Sequence, residues 1–160
     1  MTRFELSASV VLFRGDEILV MKRAGGFSAG GWFFPGGHVE PGERPVDAAA
    51  RETFEEAEIS LDPATLAIVD VMSYDTGGAT AHTIIYAAEC PDGAECVIND
   101  EHLAARWMEP EAYITRFLDA DTLRAKGTPD AAINVATEVA RVTSSAASQR
   151  LRSRTGVSTT

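Results

Sequence analysis

The stretch from Gly37 to Ile59, GHVEPGERPVDAAARETFEEAEI, constrains this chain more than any other. It joins a glycine-rich turn to a run, Val46 to Glu58, that lacks Gly and Pro and holds several alanines, with Pro45 placed as a first helical residue. A helix is expected there. At roughly 100° per residue, Ala49, Ala50, Thr53, Phe54 and Ala57 fall within about 140° of one another and form the expected buried stripe. Glu52, Glu55 and Glu56 occupy a separate arc of about 100°, so three carboxylates share one side of two helical turns. Like charges at these spacings each destabilise a helix by roughly 0.2–0.5 kcal/mol, a sign that a bound cation would reverse. Oxygen donors of this kind suit Mg²⁺ or Mn²⁺, and no His or Cys in the cluster suggests zinc. Taken alone, the same three glutamates also describe an ordinary solvated helix face.

The rest of the composition narrows the partners. With 160 residues, 45% of them hydrophobic, the chain has the size of one domain spanning 1–160 that buries a core without disulfides or structural metal. A formal charge of -10 argues against nucleic acid or an anionic membrane surface as the main partner. A polyanionic small substrate would be repelled too, unless cations came with it. Cys90 and Cys96 match no metal ribbon or redox pair, so they read as reduced thiols of a cytoplasmic protein. The apolar stretch near the N-terminus is interrupted by Glu5, Ser7 and Ser9, and neither a signal peptide nor a membrane span is expected.

In chain order, Phe4, Leu6, Ala8, Val10 and Leu12 alternate with polar residues as in a half-buried strand, and Ile18 to Met21 after the RGDE turn completes a hairpin over 4–22. Lys22 and Arg23 close it with positive charge. AGGFSAGG at 24–31 is expected to be a flexible loop, and Trp32 to Phe34 a short strand before Pro35 and the Gly36-Gly37 pair. Leu66 to Met72 and Thr80 to Ala88 predict a second hairpin around DTGGA. Residues 89–103 are acidic and polar, hence a surface loop, followed by a last short strand at Arg106 to Met108. Pro110 opens a helix through Leu118, and Thr128 with Pro129 predicts the cap and first residue of another, with Ala132, Val135, Ala136 and Val139 inward and an end near Val142. The segment 144–160 is low in apolar residues and is expected to be a flexible tail, unless the helix continues into it.

The stretch 37–59 fits the pattern G-x5-E-x7-R-E-U-x-E-E-x-G-U, where U is bulky and apolar; this is the Nudix box. Gly37, Glu43, Arg51, Glu52, Glu55 and Glu56 all match, an agreement expected by chance on the order of once in ten million windows. The chain thus resembles Nudix hydrolases, and WFFPGGHVEPGE extends the likeness upstream. Thr53 departs from the apolar position and should loosen packing under the helix. Glu58 departs from the glycine that usually supplies a left-handed cap, so the helix is expected to end differently or continue further.

The resemblance implies an α/β fold, an α/β/α sandwich around a mixed β-sheet, and hydrolysis of a nucleoside diphosphate linked to another group. It implies Glu52, Glu55, Glu56 and the Gly37 carbonyl as ligands of Mg²⁺ or Mn²⁺, and Arg51 as a structural cation with Glu43 as partner. A carboxylate must take a proton from the attacking water: Glu52 or Glu55 on the helix, or Glu101, then Asp100, from the loop at 95–101. Phe27, Trp32, Phe34 and Tyr74 are candidates for stacking on a base, although aromatics are commonly core. Tyr74, 15 residues past the box, loosely resembles a tyrosine of dinucleoside polyphosphate hydrolases. No proline marks ADP-ribose hydrolases there, and no motif of the NADH or coenzyme A branches is present. Nucleoside triphosphates and nucleotide sugars stay open, the family's habit allows a homodimer, and a non-catalytic nucleotide-binding module is the alternative.

Overall fold

The computed structural model describes residues 4–26, 28–76 and 78–156. Strands β1 (Phe4–Arg14), β2 (Glu17–Arg23), β3 (Trp32–Phe33) and β4 (Gly36–His38) precede helix α1 (Pro45–Ala57). A 3₁₀ turn at Pro63–Thr65 leads to β5 (Ala67–Asp75), β6 (Thr80–Glu89) and β7 (His102–Met108). Helix α2 (Pro110–Tyr113) runs on as a π turn through Leu118, and α3 (Ala120–Ala125) and α4 (Asp130–Thr155) complete the chain. The sheet order is β3-β2-β1-β6-β5, with β4 paired to β1 and β7 to β2. β1 and β6 run parallel from Phe4↔Thr80 to Phe13↔Glu89, while the other pairs are antiparallel. Helix α1 covers one face and α2 with α4 the other, the expected α/β/α sandwich on a mixed sheet.

The alternation in β1 identifies a strand but understates its burial. Ala8, Val10 and Leu12 pack toward α1 while Val11 and Phe13 pack toward α4, because β1 lies mid-sheet between two layers. Its first residues escape this cover, leaving Phe4 and Leu6 exposed. β7 is longer than the expected 106–108, starting at His102, since β2 supplies a pairing edge from Ile18 to Arg23.

Two helix ends differ from expectation. Pro129 caps α4 rather than beginning it, and the helix extends well past Val142 to Thr155. Residues 144–155 are therefore helical, not a tail. Val139, Val142, Thr143 and Ala146 continue the buried stripe, and beyond them Gln149 donates to the Val69 carbonyl at 3.2 Å. Arg150 then grips both Glu89 oxygens, at 2.7 and 3.0 Å, with its guanidinium 4.6 Å above the Phe13 ring. Small residues and arginine stems thus do the covering that bulky apolar residues do elsewhere.

In α1 the expected stripe is nearly right. Ala49, Ala50, Thr53 and Ala57 are buried, but Phe54 is exposed and Glu56 takes the place inside. The helix sits rotated toward its carboxylate side because the segment before β7 runs along that edge, where Val97 donates to the Ala57 carbonyl and Asn99 to that of Glu56. Thr53 leaves no looseness: fully buried, it donates its hydroxyl to the Ala49 carbonyl at 2.8 Å. Glu58 adopts the left-handed conformation itself, at φ 55°, with its N–H on the Phe54 carbonyl, so the helix ends where a glycine would end it. Among the described residues no helix is long and apolar enough to cross a membrane.

Candidate functional site

A cavity of about 490 Å³ opens between the N-terminal half of β1, β4, the glutamate side of α1 and the first turns of α4. Its acidic lining includes Glu52, Glu55 and Glu56 beside Gly37 and, from the segment before β7, Glu101. Its apolar lining is Phe33, Phe34, Met72, Tyr74, Ile85 and Val139, all of them in or against the core cluster on the α4 side of the sheet.

Close packing brings the acidic lining together. A Cβ on Gly37 would stand 2.4 Å from the Glu52 carboxyl carbon, so only glycine lets that carboxylate lie against the β4 backbone. Gly36 is equally hemmed in: its Cβ would meet the Ala8 carbonyl at 2.4 Å, and its N–H donates to Glu56 Oε2 at 2.9 Å. Arg51 ties the loop to the helix. It donates to both Glu43 oxygens, at 2.9 and 3.1 Å, to Glu52 at 2.8 Å, to the His38 carbonyl at 3.1 Å and more distantly to Glu55 at 3.4 Å. Glu43 in turn accepts the Glu40 N–H at 3.0 Å. Arg51 and that N–H hold the Glu43 carboxyl down at about 2, and Glu43 above all raises the Arg51 guanidinium.

The ligand candidates themselves are poorly compensated. Burial raises the Glu52 carboxyl above its ordinary value, with Arg51 pulling against it. Burial pushes Glu56 up to about 8; the Gly36 N–H opposes the rise, and the charges of Glu52 and Glu101 add to it. Such a site favours a cation. Among the described residues, no three His, Cys, Asp or Glu side chains are already gathered around one point as an ion would hold them. The donors nevertheless fit a hard divalent ion in kind, since they are carboxylates around the Gly37 backbone, cleared of a Cβ for the purpose.

The other sequence candidates divide. Glu101 lines the cavity and Asp100 does not. Phe34 and Tyr74 line it, the Tyr74 hydroxyl lying 3.4 Å from that of Thr83. Trp32 is core instead: its ring stacks on Phe117 at 4.9 Å and its carbonyl accepts the buried Tyr113 hydroxyl at 2.6 Å. Phe27 lies outside the described residues. Three participants were not predicted. Phe33 belongs to the aromatic run already noted and Arg23 closes the β1–β2 hairpin, yet both line the cavity. Among the described residues no acid pairs with the Arg23 guanidinium. Asn99 carried no signal; it accepts the Glu101 N–H at 3.1 Å and faces a His102 ring nitrogen at 3.2 Å.

Comparison with known proteins bears on the family and the fold. Residues 3–130 match the model of the NUDIX domain. The chain is 33% identical over 102 residues to 8-oxo-dGDP phosphatase NUDT18 of Mus musculus, an alignment covering 62% of this chain and 30% of that protein. It thus spans about a third of that relative's length. It is 31% identical over 118 residues to the asymmetrical bis(5'-nucleosyl)-tetraphosphatase of Sus scrofa, covering 69% of this chain and 78% of that one. The crystal structure of a C. elegans Ap4A hydrolase binary complex superposes with a TM-score of 0.62 at 28% identity, over 77% of this chain and 95% of that one. The domain match, the box on α1 and the shared fold together make this chain a member of the NUDIX family.

Proposed function

We propose that this protein is a metal-dependent hydrolase of a phosphoanhydride bond in a nucleoside diphosphate joined to another group: a nucleoside triphosphate, ADP-ribose, a nucleotide sugar or a dinucleoside polyphosphate. The observation that carries this reading is the mixed lining of the cavity, with α1 glutamates around Gly37 and aromatic and aliphatic side chains from the α4 side of the sheet. A polyphosphate accompanied by cations suits the glutamates and a base the apolar side chains. Relatives named for 8-oxo-dGDP and for bis(5'-nucleosyl) tetraphosphates direct the first substrates to try.

Glu52, Glu55, Glu56 and the Gly37 carbonyl would hold Mg²⁺ or Mn²⁺, which when bound supplies charge neutralisation of the diphosphate and acidification of water. The chain's own groups do the rest. Glu101, or Glu52 or Glu55 on the helix, takes the proton from the attacking water. Arg23, which lines the same cavity, offers its guanidinium to phosphate oxygens. Arg51 and Glu43 keep the 38–43 loop against α1, so that Gly37 and Glu52 stay in register. Phe34 and Tyr74 flank the nucleoside.

The test is a hydrolysis screen with metal-stripped protein, using nucleoside di- and triphosphates, ADP-ribose, nucleotide sugars and Ap4A, with Mg²⁺ or Mn²⁺ restored. Turnover that disappears with chelator and returns with either ion is expected. Tight binding of one nucleotide without cleavage under every condition overturns the hydrolase reading in favour of a nucleotide-sensing module.

A further inference from the structure

Helix α1 leaves part of its face of the sheet bare. On that face β1 presents alternate residues: Ala8, Val10 and Leu12 lie in the core beneath α1, whereas Phe4 and Leu6 are 67% and 41% exposed. Strand register carries the same face outward in two rows, from Leu6 to His82 and Ser73, and from Ala8 to Ile84 and Val71. Val71 is 46% exposed, and Ile68, opposite Tyr86 of the core beneath α1, is 64% exposed. The Phe4 ring stacks on His82 at 5.8 Å, so the bare face is continuous from β1 into β6. Phe54, 53% exposed, borders it from α1, about 100° round the helix from buried Thr53 and on the flank opposite Glu52. Asp47 lies on that same flank, and its charge, after burial, raises the phenol of Tyr86 on β6.

Those five apolar side chains leave roughly 500 Å² in water, a size at which a surface patch marks a contact. At the roughly 56–65% apolar share of interfaces, this corresponds to about 800 Å² per partner, as much as a stable dimer of standard size buries. Neither row of the face interposes an acid, in a chain of net charge -10. Two copies of so acidic a chain repel each other over most of their surface, and here they can approach. The edge of β5 closes the other route. Gln149 donates to the Val69 carbonyl at 3.2 Å and Arg141 to that of Val71 at 3.4 Å, while the Asp70 carboxylate, itself bound to Arg141, accepts the Val71 N–H at 2.7 Å. With these backbone groups taken, a strand of another chain is kept from adding along β5. We propose that the bare face is the contact of a homodimer, on which a second copy lays the same face about a two-fold axis. The inference is independent of the hydrolase reading.

The test is sedimentation equilibrium on the full chain from about 1 to 100 μM, at low and at high NaCl. A dimer is expected within that range, and salt should not loosen it, because screening removes repulsion between two anionic copies and leaves the apolar contact intact. Val71→Asp sets two charges into the contact and should raise Kd at least about a hundredfold. Phe4→Asp, at the start of β1, should do the same, so that poor folding of one variant still leaves the other to decide. Leu103→Asp is the control: its side chain is 62% exposed but stands on β7, at the far edge of the sheet, and Kd should stay within about threefold. A monomer at every concentration overturns the proposal and leaves the face to a different protein. Dimers that persist in the folded Asp variants, or that Leu103→Asp loosens equally, overturn it as well, as does a tenfold or greater loosening by salt, which would mean an ionic contact elsewhere.

Discussion

Helices α1 and α4 cover opposite faces of one sheet, yet different physics holds each in place. α1 is set by close approach and charge: Gly36 and Gly37 admit its carboxylates to the β4 backbone, and Arg51 binds it to Glu43 and to the His38 carbonyl. α4 is set by area, a stripe from Ile133 to Ala146 of small and branched side chains that any similar set would fill, with arginines reaching the sheet edges. The first arrangement tolerates almost no change of residue type and little change of position. The second tolerates type changes that keep volume and pattern. Both meet in the cavity, where α1 supplies charge and α4 supplies Val135 and Val139.

The largest effect should come from α1. Glu56→Gln keeps the Gly36 N–H satisfied and the helix intact, but leaves a side chain that cannot ionise toward a cation. Turnover should fall at least about a hundredfold, or ~2.7 kcal/mol of transition-state stabilisation, with Tm unchanged or higher. Steady-state kinetics within about threefold of wild type would remove Glu56 from the ligand set.

Next, Arg51→Lys gives up the fork that grips Glu43 while still bearing charge. If α1 depends on geometry more than on charge, kcat should drop about tenfold even though the substitution is formally conservative. Equal activity of the two proteins would mean that a point charge suffices.

On α4 the contrast can be drawn within one helix. Val142→Ala and Val139→Ala each remove two buried methyl groups, and each should lower the unfolding free energy by about 2 kcal/mol in denaturant titration. Only Val139 lines the cavity, so only its substitution should raise KM. A KM change of the same size in Val142→Ala would show that α4 acts on the site as a whole and not through its two wall residues.

The smallest effect belongs to the end of α1. Glu58→Gly relieves a left-handed side-chain conformation at the cost of unfolded-state freedom, for a net gain of about 0.5–1 kcal/mol and no change in kcat. A loss of stability would mean that the Glu58 side chain contributes an interaction larger than its backbone strain.

How much was visible in advance follows the same division. The strands around β1, the helix at 45–57 and the box on it could be read because their signals are local: alternation, a proline start, glycines beside glutamates. The far half of α4 could not, because Thr143, Ala146 and Gln149 announce no burial until Val69 and Glu89 lie beneath them. The stripe on α1 was misplaced at Phe54 for a related reason: period alone ranks Phe above Glu for the interior, and only the segment holding Val97 and Asn99 decides which edge of the helix is covered.

By itself the sequence determined the chemistry on offer, since residue type and spacing along one helix suffice to place three carboxylates on one side, whereas the need for glycine at position 37 comes from the packing of Glu52 against β4. Tertiary structure alone decided which distant groups join them. Trp32 went to the core while Phe33 and Phe34 faced the cavity, and Arg23, Glu101, Asn99 and His102 were carried to the box by the pairing of β2 with β7. Nothing local to those residues encodes that meeting, because it depends on how the strands pair across the sheet.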